Sequence, residues 1–183
     1  KGKIIAPGFI DIHSHFREPG REDKETLSTG SWAALSGGFT RVCVMPNTDP
    51  PLDSPESIRF IIEKSIDLPI DVFPIGAITV GQKGMKLTEV GKMVKAGAVA
   101  ISDDGLPVQN GQVLRYALEY AQKYGVPVIN HAEDIHLRND GVMNESILST
   151  RLGLPGNPDI SESVMVHRDL EIADYCGGRI HVP

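Results

Sequence analysis

The chain has 183 residues, of which 40% are hydrophobic and 23% charged, a balance typical of one globular domain rather than a disordered segment. Its net charge of −6 comes without any basic block, which argues against nucleic acid as a partner. No apolar run approaches the roughly 20 residues that cross a membrane, and no signal peptide is visible. Its two cysteines, Cys43 and Cys176, are expected to be buried and reduced, which favours a cytoplasmic location.

Along the chain, apolar strand-like runs alternate with amphipathic helical patterns. A first buried strand over residues 7–12 leads into His13-Ser14-His15 and Arg17. Taken in order, the later pairs are a helix at 24–36 and a strand at 39–45, a helix at 54–65 and a strand at 71–78, a helix at 87–95 and a strand at 98–101, and a helix at 111–123 and a strand at 126–130.

The pattern loosens after the fifth strand. Residues 135–160 are rich in Gly, Asn and Pro and predict a long loop, of a kind that is usually functional. A helix over 161–175 follows, with His167 on a solvated face beside Arg168 and Asp169. Its apolar members are Val164, Val166, Leu170 and Ala173. A strand begins at residue 179.

Alternation of strands and helices predicts parallel pairing, in either an open doubly wound sheet or a barrel. Most of the predicted strands end in polar, chemically capable residues, which favours the barrel, where the active site lies at that rim. The predicted fold class is therefore α/β, a TIM-like (β/α)8 barrel. Residues 1–183 would form one partial catalytic domain with about six of the eight strand-helix units.

The strongest chemical signal is the His-x-His at the end of the first strand. Residues i and i+2 of a strand share a face, so His13 and His15 present two imidazoles together, as Zn²⁺ requires. Arg17 follows as a planar cation suited to a substrate carboxylate. An isolated His-x-His is more often surface decoration, and the position at a buried strand end is what favours a metal site.

Further candidate ligands follow two later strands. They are Asp104, or its neighbour Asp103, after the fourth strand and His131 after the fifth. Taken singly, the two aspartates fit a turn, and His131 fits a structural histidine. Taken together at one rim, they predict a metal-dependent hydrolase that uses one or two cations. Asp11 and Glu133 are candidate supports for the ligands, whereas His136 and His181 fit solvated and packed positions.

The chain resembles the type I dihydroorotases of the amidohydrolase superfamily. The resemblance runs from residue 3 to residue 183 and rests on four stretches: residues 6–20 around the His-x-His, Met45-Pro46-Asn47-Thr48, Ser102-Asp103-Asp104-Gly105 and Asn130-His131-Ala132-Glu133-Asp134. It implies a zinc enzyme that reversibly hydrolyses the cyclic amide of dihydroorotate to N-carbamoyl-L-aspartate in pyrimidine biosynthesis.

Roles for individual residues follow from the resemblance. His13 and His15 would hold one zinc ion, Asp104 would bridge or bind both, and His131 would hold the second. Arg17 and Asn47 would bind the carboxylate of dihydroorotate. The family's sixth-strand histidine, its proton-shuttling aspartate, its last two barrel units and its small N-terminal β segment find no match in this chain, so no catalytic acid or base is expected within it.

Other interpretations stay open at this point. Allantoinases and hydantoinases resemble the chain in fold and in the His-x-His, but they need not hold a carboxylate where Arg17 and Asn47 lie. A non-catalytic partner of aspartate carbamoyltransferase is a third alternative, although such proteins usually lose metal ligands. A homodimer and a complex with aspartate carbamoyltransferase are the assemblies considered. Because the barrel would be incomplete, the chain alone is expected to be inactive.

Overall fold

The fold was analysed in a computed structural model, which describes residue 2 and residues 4–183. In chain order its elements are β1 (Phe9–Ser14), α1 (Leu27–Ser36), β2 (Phe39–Val44), α2 (Pro55–Lys64), β3 (Asp71–Gly76), a 3₁₀ turn (Val80–Gln82), α3 (Val90–Ala96), β4 (Ala100–Ser102), α4 (Gly111–Lys123), β5 (Val128–Ile129), α5 (Ile135–Arg138), β6 (Met143–Asn144), α6 (Ile147–Leu152), β7 (Gly156–Asn157), α7 (Ile160–Cys176) and β8 (Ile180–His181).

One parallel sheet organises the molecule. Its strand order is β1-β2-β3-β4-β5-β8, so each strand pairs with the next strand of this sheet in chain order. β6 and β7 lie between β5 and β8 in the chain and form a separate two-stranded sheet. Val42 pairs with Val72, and Ile101 pairs with Val128. Because all six strands run the same way, their carboxyl ends, and the loops that follow them, lie at one edge of the sheet.

Several helices begin at side-chain caps, and apolar helix faces cover the sheet. Ser54 caps α2 through the Ser57 N–H, and Asn110 caps α4 through the N–H groups of Gln112 and Val113. The inward stripe of α4 is fully buried and consists of Leu114, Ala117, Leu118 and Ala121. These side chains join residues of β2–β5, α2 and α3 in the main hydrophobic core.

Two predictions about the later part of the chain are wrong. Residues 135–160 are not one structureless loop, because they contain α5, α6 and the small parallel sheet of β6 and β7. The predicted inward face of the last helix is also wrong in part: Val164 and Leu170 are exposed, while Met165 and Asp169 are buried. The buried aspartate has partners that a hydrophobic pattern does not reveal.

The buried carboxylate of Glu18 connects the loop after β1 with α1 and α2. Glu18 accepts a hydrogen bond from the Leu27 N–H at the start of α1, 2.7 Å away, and forms an ion pair with Lys64 at the end of α2. Cys43 and Cys176 are free thiols, as predicted, but both are only partly buried. Within residues 4–183, no helix is long and apolar enough to cross a membrane.

Candidate metal centre

Three predicted ligands meet at the carboxyl edge of the sheet. One ligand atom each from His13, His15 and Asp104 lies within 4.8 Å of the other two. The Asp104 Oδ1 is 3.3 Å from the His13 Nε2 and 3.8 Å from the His15 Nε2. All three residues are partly buried, so the cluster is sheltered but open to small molecules.

The spacing of these atoms fits a tetrahedral metal ion. Two ligand atoms that are each about 2.1 Å from a Zn²⁺ ion, at the tetrahedral angle, lie about 3.4 Å apart. The His13–Asp104 separation of 3.3 Å matches this value, and the His15–Asp104 separation of 3.8 Å needs only a small closure. Two imidazoles and one carboxylate form a donor set that suits zinc and similar cations, and they leave a position for water or substrate.

The structure separates the two neighbouring aspartates that the sequence left as alternatives. Asp104 faces the imidazoles, whereas Asp103 is almost fully buried and accepts hydrogen bonds from the Thr79 N–H, at 3.0 Å, and from the Thr79 hydroxyl. Burial raises the pKa of Asp103 to about 6, against the opposing effect of these hydrogen bonds. Asp103 thus anchors the loop after β3, and Asp104 is the aspartate placed to act as a metal ligand.

Asn47, which follows β2, lies between two members of the cluster. Its Nδ2 donates to the Asp104 Oδ2 at 2.6 Å, and its Oδ1 lies 2.9 Å from the His15 Nδ1. An amide oxygen can only accept, so the His15 Nδ1 carries the proton and its Nε2 presents a lone pair toward Asp104. This tautomer is the one that a metal at the Nε2 requires.

Arg17 lies in the loop directly after β1, with a left-handed backbone at φ 57°. Its side chain is partly buried. Across the part of the chain that the structure describes, the Arg17 guanidinium makes no hydrogen bond or ion pair, so its fork of donors is available to a ligand. Asn47 differs from Arg17 in this respect, because its amide already binds His15 and Asp104. Contact of Arg17 or Asn47 with a substrate carboxylate stays a prediction.

His131 follows β5 at the same edge but is not part of the three-residue cluster. Its Nε2 is 3.8 Å from the Glu133 Oε2, which also lies 3.6 Å from the Arg138 Nη1. The predicted support residue Glu133 therefore does lie beside His131, and Asp11 accepts the backbone N–H of His13 at 3.0 Å. A second metal site at His131 stays a prediction.

Comparison with known proteins identifies the family. A family model described as "Dihydro-orotase-like" matches residues 2–183. The chain belongs to the dihydroorotase-like family. Over 182 residues it is 50% identical to a dihydroorotase of Desulforapulum autotrophicum and 53% identical to one of Solibacter usitatus. These matches cover 99% of this chain but only 43% and 42% of the two relatives, so the chain spans less than half of their length.

Solved structures confirm the fold class. The L-hydantoinase (dihydropyrimidinase) of Arthrobacter aurescens superposes with a TM-score of 0.71 at 21% identity, over 96% of this chain and 41% of that one. A dihydroorotase from Saccharomyces cerevisiae, crystallised in complex with 5-fluoroorotic acid, gives 0.65 at 13% identity, over 97% and 48%. The six-stranded parallel sheet is thus consistent with an incomplete TIM-like barrel, as predicted from the strand-helix alternation.

Proposed function

We propose that this chain provides the first-strand metal site and the carboxylate-binding side of a dihydroorotase. The reaction is the reversible hydrolysis of the cyclic amide of dihydroorotate to N-carbamoyl-L-aspartate. The observation that carries the proposal is the His13–His15–Asp104 cluster, with ligand-atom spacings suited to a metal, in a chain about 50% identical to dihydroorotases. The pathway would be pyrimidine biosynthesis, in the cytoplasm.

The residues of the cluster would act as ligands. His13 and His15 would bind zinc through their Nε2 atoms, Asp104 would bind the same ion and a second one, and His131 would complete the second site. Zinc in such a site supplies Lewis-acid polarisation of a carbonyl and lowers the pKa of water. Asn47 would hold His15 in the metal-binding tautomer and keep the Asp104 carboxylate oriented.

Arg17 would orient the substrate. Its guanidinium, two residues after His15 in the chain, can take the exocyclic carboxylate of dihydroorotate as a bidentate pair, which would direct the ring amide toward His13 and His15. Hydrolysis breaks the amide C–N bond of the ring. The hydroxyl of water joins the carbonyl carbon, one proton goes to the leaving nitrogen, which becomes a neutral ureido NH2, and the new carboxyl group releases its proton to solvent. We place no proton-transferring residue within this chain. The remaining barrel units of a longer polypeptide would supply it. Dimerisation or binding to aspartate carbamoyltransferase would concern that whole protein, which would also carry a short N-terminal β segment.

The test combines metal content with ligand binding. Elemental analysis of the purified chain is expected to find zinc, and dihydroorotate is expected to bind the zinc-loaded chain by calorimetry. Arg17→Met should weaken this binding at least about tenfold, because a charge-assisted hydrogen bond is lost. Arg21→Met removes the same charge from the same loop and serves as the matched control; it should bind normally.

Hydrolysis of dihydroorotate is followed in parallel by chromatography and is expected to be absent, because no proton-transferring residue is placed within this chain. Hydantoin, which lacks the carboxylate, serves as the comparison ligand in the binding measurements. Hydantoin should bind the wild type and Arg17→Met equally. A chain that takes up no zinc after reconstitution, or an Arg17→Met variant that binds dihydroorotate as well as the wild type, would contradict the proposal.

A further inference from the structure

A closed hydrogen-bond network lies behind the rim, on the helix side of β5. Asp169 of α7 is completely buried and accepts the Nδ2 of Asn130 on its Oδ2 at 2.6 Å. Its Oδ1 accepts the Nε and Nη2 of Arg168 at 2.9 and 2.6 Å. The Oδ1 of Asn130 in turn accepts the Val108 N–H at 3.1 Å.

The same arginine closes the network on the loop after β4. The Arg168 Nη2 donates to the Val108 carbonyl at 2.8 Å, and its Nη1 donates to the Gln109 carbonyl at 2.7 Å. The Gln109 side chain then donates to the Glu133 carbonyl at 2.9 Å. One ion pair on α7 therefore connects the loop after β4 with both sides of His131, which directly follows Asn130.

We propose that Arg168 and Asp169 are positioning residues for the metal centre, which fix the rim segment that carries His131 through Asn130, Val108 and Gln109. The proposal rests on the proposed role of His131 as a ligand. Its physical basis is that each side-chain nitrogen and oxygen of Asn130, Arg168 and Asp169 in the network has at least one hydrogen-bond partner, and a satisfied buried network favours a single arrangement. Supports behind metal-binding histidines commonly change metal affinity about 10–100-fold when they are removed.

The polarity of the network allows a specific test. Asp169→Asn cannot accept from both Arg168 and Asn130, so one donor is left facing another donor. Asn130→Asp places a carboxylate against the Asp169 carboxylate. The double variant Asn130→Asp/Asp169→Asn restores every hydrogen bond with the direction of one reversed: Asp at 130 accepts from Val108 and from the new amide, which still accepts from Arg168. Asp174→Asn, at an exposed position of α7, is the matched control.

Two measurements on the purified chain decide the matter. Amide hydrogen exchange at Val108 should accelerate at least about tenfold in each single variant, and it should return to the wild-type rate in the double variant. Exchange at Val99, whose N–H donates to Pro74, reports global opening and should change far less. Cobalt titration, followed by visible absorption, should show the His131 site weakened about tenfold in the single variants and recovered in the double variant.

Several outcomes would overturn the proposal. They are an unchanged Val108 exchange rate in both single variants, equal acceleration at Val99 with unaltered cobalt spectra, and a double variant that recovers exchange but not cobalt binding. A His131→Ala variant whose cobalt spectrum is identical to that of the wild type would show that cobalt binds only at the His13–His15–Asp104 cluster. The assignment of His131 as a ligand would then fail, and this proposal would fail with it. The zinc content and the Arg17 experiment would still test the rest of the proposed function.

Discussion

Replacing Asp103 by Asn should make the chain more stable at neutral pH and not at acidic pH. In the folded protein, burial raises the pKa of Asp103 from 3.8 to about 6. The folded state therefore holds a proton between these two values that the unfolded state releases. The stability contributed by that proton is present below pH 3.8 and is lost as the pH rises to about 6.

The magnitude follows from the size of the pKa difference. At about 1.4 kcal/mol per pKa unit, the rise from 3.8 to about 6 costs the wild type about 3 kcal/mol at neutral pH. Asn cannot ionise and does not bear this cost. Its Oδ1 still accepts the Thr79 N–H, and its amide group can donate to the Thr79 hydroxyl oxygen, so the local hydrogen bonds are largely kept.

The assay is urea unfolding followed by circular dichroism, in EDTA, at several values from about pH 4 to about pH 7. The difference in unfolding free energy between Asp103→Asn and wild type should rise by about 2 kcal/mol across this window and level off above about pH 6. The exposed Asp67→Asn variant is the control for removal of one negative charge. A difference for Asp103→Asn that does not depend on pH, or that falls as the pH rises, would refute the reasoning.

Three further experiments test other parts of the structure. His13→Ala removes one of three clustered ligands and should abolish zinc binding at the His13–His15–Asp104 site, which lowers the zinc stoichiometry in calorimetry by one ion while circular dichroism stays unchanged; an undiminished stoichiometry would place that site elsewhere. Leu118→Ala should lower the free energy of unfolding by about 2–5 kcal/mol in urea, because Leu118 is fully buried, and a loss below about 1 kcal/mol would mean that the core closes around it. Gly20→Ala and Gly84→Ala share a positive φ, but only at Gly20 would a new Cβ overlap the Asp49 carbonyl oxygen. Gly20→Ala should therefore show the lower melting temperature, and equal values would show that the loop can move aside.

The sequence predicted those features that depend on local periodicity. Strand-helix alternation gave the parallel sheet, and polar residues after the strands gave the positions of His13, His15 and Asp104 at one edge. The elements within residues 135–160 were not predicted, because strands of two residues and helices of four to six residues carry no readable period. Recognising those elements requires the tertiary contacts themselves.

Asp169 and Asn47 show a second limit of sequence reasoning. Asp169 was expected on a solvated face because a charged residue is usually exposed, yet it is buried against Asn130 and Arg168. Asn47 was assigned to the substrate, a role that stays a prediction, and the hydrogen bonds of its amide with His15 and Asp104 were not foreseen. A hydropathy pattern scores one residue at a time, whereas burial of a polar group depends on a partner far away in sequence.

The parallel strand order has a consequence for folding. His13 and Asp104 lie about 90 positions apart in the chain, and the ends of β1 and β4 are separated by two intervening strands. An ion held by both residues would act as a cross-link that closes a very long loop, and the entropy lost by the unfolded chain grows with the length of the loop. Since the unfolded chain has no such preformed site, metal uptake would also contribute to folding free energy. The ion would then hold together the first four strands as well as take part in chemistry, and a chelator would loosen the sheet from its first strand.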